Sequence, residues 1–471
     1  PDSIRGVLLR FLLFPVALGA LGPINTWDLP TYLGLTALAL LYASWRLHGR
    51  VRLLATAFRF AVIAALSLAF YAPFYRHYQA ISVGVGLVQE RSPLGPFLMI
   101  WGFFLLVGVA YLVMALARQR GRLGILRYAR LVIRQMAYLP HLLDLHAGLV
   151  RRSLPLYTLA RYGLWLTLAL SLLLAALGQW TLALLLPVAA LAALLLLRDD
   201  VEPAEFFTQL VLFTGVLVLL GCEIVYMKDF LGGGDWRRMN TLFKFYIQVW
   251  VLLGVALGPL LPRVWRWVRD TRPRALSWAW RVACGFLLLS GLAYPALATP
   301  ARVQERFPAG SPPIGTLDGM AYMAVGVYTW PDENHPIDLS FDYAAIRWLW
   351  DSVEGTPVIA EGRIDYYREN GMRVSSYTGL PTLLGAHQGE QRYDWQVGTR
   401  DGLARSFYTT TEIGRAQGIA AELGIRYVYV GQLERYVYPE AGLSKFDQMV
   451  ELGLLEVAYE NEKVRIYRFP A

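Results

Sequence analysis

The stretch GPFLMIWGFFLLVGVAYLVMALA, residues 95–117, decides the fold, because it contains no charged side chain. A hydrocarbon core about 30 Å thick is crossed by roughly 20 apolar residues in a helix. The chain as a whole has 471 residues, of which 56% are apolar and 17% charged, and its mean hydropathy is +0.40. Soluble globular proteins carry about 45–50% apolar and roughly 25% charged residues. The composition therefore predicts a polytopic α-helical membrane protein and excludes an ordinary cytosolic enzyme and a disordered chain.

Segments of similar character on both sides of this stretch predict about nine transmembrane helices. The first is interrupted by Arg10 and Pro15, and the sixth is short enough to be re-entrant. The predicted spans are 7–23, 30–46, 53–72, 95–117, 154–177, 180–197, 206–226, 240–261 and 276–298.

The net charge of +9 is distributed unevenly along the chain. Residues 1–330 carry a net charge of +16, and residues 331–471 carry −7. Basic loops between apolar spans are typical of the cytoplasmic side of a membrane protein, so nucleic acid is excluded as a partner. We expect an integral plasma (inner) membrane protein, with the lipid bilayer as its partner and an extracytoplasmic C-terminal domain. The arginine-rich loop 118–152 predicts an interfacial amphipathic helix or, alternatively, a partner-docking helix.

The composition predicts three parts: a transmembrane domain (1–299), a Pro/Gly-rich linker (300–330) and a small α/β domain (331–471). Helix–strand alternation in the last part predicts a core of parallel strands. The expected helices are 342–353 and 412–424, and the expected strands are 357–362 and 427–431. The only cysteines, Cys222 and Cys284, lie in apolar runs and exclude a disulfide framework.

The stretch CEIVYMKDFLGGGDWRRMNTLFKFYIQVW, residues 222–250, combines charges of both signs with three glycines. An ionisable group at the end of an apolar helix, such as Glu223, is a functional candidate. Arg237, Arg238 and Lys244 lie near the start of the next predicted helix, and this combination suits a phosphate or diphosphate.

A structural interpretation of the same charges stays open. In that interpretation, ion pairs between Glu223 and Lys228 and between Asp235 and Arg238 close a hairpin of helices. No phosphate-binding P-loop pattern is present, so the sequence does not indicate nucleotide hydrolysis.

Three further loops on the same predicted side carry polar and aromatic groups. Asn25, Trp27 and Asp28 form either a helix start with a belt aromatic or a carboxylate site beside an amide and an indole. The aromatic loop 71–78 is either part of an aromatic belt or a stacking surface for a sugar or isoprenoid. The loop 375–395 is either a surface loop or a lid over substrate.

The last of these loops contains His387, Glu390 and Arg392 within six residues. His387 and Glu390 supply at most two ligands, too few for a metal site on their own.

Four further stretches stand out along the chain: NTWDLPTYL (25–33), RMNTLFKFYIQVW (238–250), TGLPTLLGAHQGEQR (378–392) and GIRYVYVGQLERYVY (424–438). These motifs, in this order, resemble the uncharacterised multispanning membrane family called Chlor_Arch_YYY. The resemblance covers essentially the whole chain, and that family looks distantly like the GT-C glycosyltransferases. Those enzymes transfer a sugar from a polyprenyl-phosphate donor on the non-cytoplasmic face of the membrane.

The resemblance implies a GT-C-like fold and a glycosyltransferase site. Asp28, Glu223 or Asp229 would act as the catalytic base or as a ligand of a divalent cation, Mg²⁺ or Mn²⁺. The loop around His387 would cover the acceptor. The residues expected to bind substrate are Asn25, Trp27, Lys228, Arg237, Arg238, Asn240, Lys244, Tyr246, His387, Glu390 and Arg392.

The sequence departs from that family in lacking its further N-terminal spans and their acidic motifs, and in having Ala386 where the family has tryptophan. We therefore expect either the C-terminal part of a larger enzyme or a chain whose missing half comes from a second membrane polypeptide. The alternative is a non-catalytic subunit of a membrane complex. A transporter is disfavoured, because charges within the spans are few, with Arg59 and Arg161 the clearest, and no inverted repeat is visible.

Overall fold

The structure, a computed structural model, describes residues 4–78, 84–118, 155–198, 201–229, 233–306, 315–364, 371–385 and 394–470. The chain divides into two compact units, unit 1 (Pro1–Gly291) and unit 2 (Leu292–Ala471). The arginine-rich loop predicted to be amphipathic lies outside the described residues, except for Arg118 at its start.

A helix occupies each of the nine predicted spans, and one short further helix, α4, occupies the aromatic loop 71–78. The helices of unit 1 are α1 (Ile4–Ile24), α2 (Asp28–His48), α3 (Leu53–Phe70), α4 (Ala72–His77), α5 (Leu94–Ala117), α6 (Pro155–Ala176), α7 (Trp180–Leu195), α8 (Pro203–Cys222), α9 (Met239–Arg269) and α10 (Arg274–Ala293).

Five helices in the described part of the chain are long and apolar enough to cross a membrane: α3, α5, α8, α9 and the continuous helical segment Arg274–Glu305 that begins with α10. The other predicted spans coincide with α1, α2, α6 and α7. The total of nine transmembrane helices therefore stays a prediction.

The apolar residues of unit 1 point both inward and outward, as in a bundle that contacts lipid. A buried core joins α5, α7, α8 and α9, where Trp101 and Leu185 have no exposed surface. Gly215 lets α8 approach α9 closely, because a Cβ at that position would lie 2.8 Å from Leu253 Cδ2. On the outer surface, Leu54 of α3 is 89% exposed and Phe286 of α10 is 68% exposed. A helix that is apolar on all sides fits a bilayer rather than water.

Three features of unit 1 differ from the sequence prediction. The seventh predicted span ends at residue 226, whereas α8 ends at Cys222 and residues 225–226 belong to a strand. The eighth predicted span ends at residue 261, whereas α9 continues to Arg269 and so includes basic residues assigned to a loop. Two strands, β1 (Gly84–Leu87) and β2 (Val225–Lys228), pair antiparallel between the helices. This pairing joins the residues before α5 to those after α8.

Unit 2 is an α/β unit with a four-stranded sheet. Its helices are α11 (Thr299–Arg306), α12 (Leu339–Ser352), α13 (Arg373–Thr378), α14 (Asp394–Thr409), α15 (Ile413–Leu423), α16 (Gln432–Val437), α17 (Glu440–Leu443) and α18 (Lys445–Glu451). Its strands are β3 (Val327–Thr329), β4 (Pro336–Asp338), β5 (Val358–Ala360), β6 (Ile425–Val430), β7 (Glu456–Glu460) and β8 (Arg465–Arg468).

The sheet is mixed, with strand order β5-β6-β8-β7. The predicted parallel pair is present as β5 and β6, but β8 and β7 add antiparallel strands. Gly424 ends α15 with a φ of +68°, as expected of a glycine that closes a helix. Met320 and Met323, in the segment predicted as a linker, are buried in the core of unit 2.

A buried ion-pair network lies at the carboxyl ends of β5 and β6. The Arg373 guanidinium donates to Asp342 Oδ1 at 2.6 Å and to Glu434 Oε2 at 2.8 Å, and its side chain is 1% exposed. Tyr429 donates to the same Asp342 oxygen at 2.6 Å. Glu361 is also buried, and its carboxylate accepts from the backbone N–H groups of Val374 and Ser375. Burial raises the pKa of Glu361 above its ordinary value.

Candidate functional site

A fully buried carboxylate marks the end of the bundle where α8 stops. Glu223 follows α8 directly, and its side chain has no exposed surface. Glu223 Oε1 accepts from Arg238 Nη2 at 2.8 Å and from Ser92 Oγ at 2.7 Å, and Oε2 accepts from the Ser92 backbone N–H at 2.8 Å. Three donors, one of them charged, offset the burial of this carboxylate. Glu223 thereby connects the residues before α5 to the start of α9.

The segment Gln89–Pro93, between β1 and α5, is fixed by further hydrogen bonds. Arg91 donates from Nε to the Glu223 carbonyl at 3.1 Å and from Nη1 to Gln179 Oε1 at 2.9 Å. Thr181 donates to the Ser92 carbonyl at 2.7 Å. The ends of α5, α7 and α8 are therefore joined through one short polar segment.

A cavity of about 460 Å³ lies between this segment and the start of α9. Three arginines contribute to its lining, together with Glu90, Tyr226 of β2 and Tyr246 of α9. The three arginines are Arg91, Arg237 and Arg238. Arginine forks match the geometry of phosphate oxygens, so the lining suits a phosphate-bearing ligand.

Arg237 and Arg238 are held differently at the edge of this cavity. Arg238 Nη1 donates to the Glu90 carbonyl at 2.6 Å and Nη2 to the Cys222 carbonyl at 2.7 Å, in addition to its pair with Glu223. Arg237 donates from Nη1 to the neutral amide oxygen of Gln89 at 2.7 Å. Arg238 is therefore a structural cation, whereas Arg237 is poised to exchange a neutral partner for an anion.

A second set of candidate residues lies along one face of α9, where Asn240, Lys244 and Gln248 are spaced four residues apart. Asn240 Nδ2 donates to Asp229 Oδ2 at 2.8 Å. Lys244 and Gln248 both lie near the Asp28 carboxylate. The face therefore brings two of the predicted catalytic carboxylates to the same helix.

The loop before α2 reaches this face through its backbone and its indole. The Trp27 carbonyl accepts from Gln248 Nε2 at 3.0 Å, and its ring packs edge-on against Phe245 at 6.0 Å. Asn25 Nδ2 donates to Asp28 Oδ1 at 3.0 Å. Asp28 is the first residue of α2, two residues earlier than the helix start expected near Pro30.

The structure does not bring all the predicted phosphate ligands together. Leu242 and Tyr246 line the cavity, and at 3.6 residues per turn they lie on nearly the opposite side of α9 from Asn240 and Lys244. Lys244 is therefore separated by the helix from Arg237 and from the cavity. The helical period, which sequence proximity along 237–244 conceals, accounts for this division.

The alternative set of ion pairs is also rearranged. Glu223 pairs with Arg238, not with Lys228. Lys228 is exposed at the end of β2, where its backbone pairs with Gly84. The side chain of Asp235 is not among those that the structure describes, so its predicted pair with Arg238 stays a prediction.

The predicted lid residues His387, Glu390 and Arg392 lie outside the described residues, so the lid stays a prediction. In the part of the chain that the structure describes, no group of three or more His, Cys, Asp or Glu side chains is arranged to hold a metal ion. Asp28 and Asp229 each accept from an asparagine instead. The described carboxylates of Asp28, Glu223 and Asp229 are therefore not grouped as ligands of the predicted divalent cation.

Sequence reasoning missed Ser92, Arg91, Gln89 and Gln248. The first three belong to the polar run Gln-Glu-Arg-Ser, residues 89–92, which directly precedes the apolar helix α5. A polar run at the entrance to a span was a usable signal. Gln248, inside α9, offered none beyond being an amide in an apolar helix.

Comparison with known proteins gives a family and no function. No curated protein and no solved structure matches the chain. The model of a family described as "Uncharacterized membrane protein (DUF2298)" matches residues 2–253. This range contains the motifs at 25–33 and 238–250 and every residue that lines the cavity. The chain therefore belongs to the DUF2298 family of uncharacterized membrane proteins.

Proposed function

We propose that the chain is a GT-C-like membrane glycosyltransferase, or the C-terminal part of one, that uses a polyprenyl-phosphate-linked sugar. The observation that carries the proposal is the cavity of about 460 Å³ lined by three arginines at one end of an apolar bundle. A lipid phosphate needs both features, because its charge must meet cations while its chain stays in hydrocarbon. The motif resemblance supports the choice of a sugar-carrying lipid.

In this proposal Arg237 binds the donor phosphate. Its hydrogen bond to Gln89 joins a cation to a neutral amide, and a phosphate oxygen is the stronger acceptor. Glu223 positions Arg238, whose guanidinium fixes the wall of the cavity. The two oxygens of the Glu223 carboxylate together accept from three donors. We therefore assign Glu223 a positioning role rather than that of the base.

Asp229 is the better placed of the two remaining carboxylates to act as the base. It lies three residues after Tyr226, which lines the cavity, so their Cα atoms are at most about 11 Å apart. Asp28 and Asp229 both meet the face of α9 that carries Asn240 and Lys244. To act as the base, Asp229 must release the Asn240 amide and turn toward the cavity. No step of this proposal is routed through a metal ion.

The reaction would be a single displacement at the anomeric carbon. The acceptor hydroxyl transfers its proton to the Asp229 carboxylate, and the acceptor oxygen forms a bond to the anomeric carbon. The bond from that carbon to the donor phosphate oxygen breaks, and the lipid phosphate leaves with the bonding electron pair. Arg237 stabilises the negative charge of the leaving phosphate.

The test is transfer from a radiolabelled polyprenyl-phosphate sugar by the purified full-length chain. We expect Arg237→Ala and Asp229→Asn each to lower turnover at least roughly a hundredfold, the scale of one lost transition-state contact or base. The matched control is Arg302→Ala, which removes an exposed arginine of α11 in the other unit. Unchanged transfer by Arg237→Ala would refute the phosphate assignment.

A second candidate is a non-catalytic subunit that binds a lipid phosphate in the same cavity. It is favoured by the fact that Asp28, Asp229 and Glu223 all accept hydrogen bonds from within the protein. Lipid-phosphate binding that depends on Arg237, without transfer in any preparation, would support it. Copurification of a second multispanning chain with an acidic loop, together with restored transfer, would instead support a shared active site.

The proposal places the chain in the plasma (inner) membrane, with the cavity and unit 2 on the non-cytoplasmic side. The basic residues at the opposite ends of α9 and α10 support this orientation through the positive-inside rule. Labelling of single cysteines introduced at Lys228 and Arg274 in intact cells, with a membrane-impermeant maleimide, tests it. Labelling at position 228 and protection at 274 is expected, and the reverse would overturn the orientation.

A further inference from the structure

A second, wholly different cavity lies at membrane depth between α5, α9 and α10. Its volume is about 610 Å³, and its lining is almost entirely apolar. It runs along α5 from Leu98 to Val113, a helical rise of about 22 Å out of a hydrocarbon core about 30 Å thick. Along α10 it extends from Leu276 to Leu287. Its length and its lining match a hydrocarbon chain lying along the bilayer normal.

One end of this cavity lies where α9 passes into α10, and that end is strongly basic. Thr271 and Leu276, which line the cavity, are interspersed in sequence with exposed arginines. Residues 266–281, which comprise the end of α9, the turn and the start of α10, carry five arginines against one acidic residue, Asp270, which pairs with Arg269. These arginines are Arg266, Arg269, Arg272, Arg274 and Arg281. Basic pockets at the membrane ends of helices bind anionic lipid headgroups.

Two polar groups sit at the junction between the apolar cavity and this basic end. The Ser277 hydroxyl lines the cavity, is 2% exposed, and has no hydrogen-bond partner among the described residues. Arg281 Nε donates to the Ser277 carbonyl at 3.3 Å, and its guanidinium lies 4.2 Å from the Trp278 ring. A buried hydroxyl without a partner is costly, and a ligand acceptor at this depth would satisfy it.

We infer that this cavity is a binding site for one anionic membrane phospholipid. An acyl chain fills the groove between α5 and α10, an ester carbonyl accepts from Ser277, and the phosphate lies among the arginines of the α9–α10 turn. Charge complementarity at the basic end selects an anionic lipid over a zwitterionic one. The site lies at the other end of α9 from the arginine-lined cavity, so it does not depend on the proposed glycosyl transfer.

The test uses the full-length chain in nanodiscs that contain phosphatidylcholine and phosphatidylglycerol. A phosphatidylglycerol probe with a photoreactive group in its acyl chain is crosslinked, and the labelled peptides are mapped by mass spectrometry. We expect labelling to concentrate on the groove-facing residues of α5 and α10. Labelling spread equally over the exposed faces of α3 and α6 would overturn the proposal, because it would indicate ordinary annular lipid.

Two variants separate the chain site from the headgroup site. Gly102→Phe fills the groove, since a Cβ at position 102 meets nothing within 4 Å, and it should lower groove labelling roughly tenfold. Gly163→Phe on α6 is the matched control, because a Cβ there is equally unobstructed. The exposed pair Arg266→Gln with Arg274→Gln should lower the preference for phosphatidylglycerol over phosphatidylcholine by roughly tenfold, and it does not disturb the bundle core.

Three other results of these experiments would contradict the lipid site. Unchanged labelling in Gly102→Phe, with the protein still monodisperse, would contradict the site. If the variant with both Arg266→Gln and Arg274→Gln keeps the same lipid preference, these arginines do not bind the headgroup, and the proposal is also contradicted. Crosslinks between the groove and residues 119–154 in place of lipid would show that the chain itself occupies the site.

Discussion

Each unit of the molecule buries an arginine against carboxylates, but the two arrangements differ in what surrounds them. In unit 2, Arg373 is 1% exposed and lies between Asp342 and Glu434, which have no exposed surface. In unit 1, Arg238 is 13% exposed, pairs with one carboxylate, and lines a cavity that its neighbour Arg237 also lines. The same residue types therefore make a closed network in one unit and the wall of a binding cavity in the other.

The difference shows that burial of charge is not by itself a mark of function. In unit 2 one guanidinium is shared by two buried carboxylates, and the network positions the helices α12, α13 and α16 against the parallel strands. Asp342 Oδ2 is buried there without a hydrogen-bond partner among the described residues. In unit 1 the Glu223–Arg238 pair leaves the adjacent Arg237 with a neutral partner, the Gln89 amide, among the described residues. We therefore look for ligand binding where an ion pair supports a neighbouring cation, not in the pair itself.

The largest expected effect comes from breaking the closed network. Arg373→Met leaves Asp342 and Glu434 buried without their cation, and loss of one partner of such a network costs about 3–5 kcal/mol. Urea unfolding of the full chain, followed by hydrogen exchange in β6, should show unit 2 destabilised by this amount. Arg415→Met, at an exposed position of α15, is the control. Equal effects of both variants would contradict the closed-network account.

Glu223→Gln should have a smaller effect, because the amide oxygen still accepts from Ser92 and because Arg238 keeps two carbonyl partners. We expect a loss of about 1–3 kcal/mol in the stability of unit 1, and weaker lipid-phosphate binding through the displaced Arg238. Thermal unfolding in detergent measures the first effect, and equilibrium binding measures the second. If Glu223→Gln lowers the stability but leaves lipid-phosphate binding unchanged, Glu223 has no role in the binding site.

A pH-dependent effect is expected in unit 2 from the buried Lys445. Burial lowers the pKa of this lysine from 10.5 to about 7, while its ammonium donates to the Gly442 carbonyl at 2.6 Å. The unfolded chain therefore binds a proton more readily, so stability falls as the pH falls from 10.5 to about 7 and no longer changes below that. Lys445→Met should flatten this slope in pulse proteolysis of the full chain at pH 7.5, 8.5 and 9.5. A slope unaltered by the substitution would assign it to another group.

The smallest effect is expected from Ser92→Ala. The variant removes the hydroxyl donor at 2.7 Å but keeps the backbone N–H that donates to Glu223 Oε2 at 2.8 Å. We expect a loss of about 1 kcal/mol in unit 1 stability, the net value of a single hydrogen bond. Thr181→Val removes the neighbouring hydroxyl, which donates to the Ser92 carbonyl. Thermal unfolding of the two single variants and of the double variant checks whether their losses of stability add.

Much of the bundle was predictable because apolar length is a strong and local signal. A helix lies at each predicted span, but two ends were misplaced. The end of α9 was placed too early, since arginines there continue the helix in place of a loop, and the end of α8 was placed four residues too late, inside β2. The strands β1 and β2 were not predicted, because Gly84–Leu87 is four residues long and its partner lies far away in sequence. Short strands paired over such a separation carry little local pattern.

The residue types of the site were predictable from the sequence, but which of these residues contact one another was not. Glu223 and Arg238 were both singled out, yet their mutual pairing is a long-range result of how α8 and α9 pack. Lys244 was grouped with Arg237 by proximity in sequence, whereas the helical period places it on the other face of α9. Ser92 comes from a different part of the chain, so no local pattern could assign it to Glu223.

The central claim is that Arg237, supported by the Glu223–Arg238 pair, binds a lipid phosphate. The most direct measurement is equilibrium binding of radiolabelled polyprenyl phosphate to the purified full-length chain, compared between Arg237→Ala and the exposed-surface control Arg302→Ala. Because a charge-assisted hydrogen bond contributes about 1.5–3 kcal/mol, we predict roughly a ten- to hundredfold loss of affinity for Arg237→Ala and none for Arg302→Ala. Equal affinities of the two variants would contradict the account.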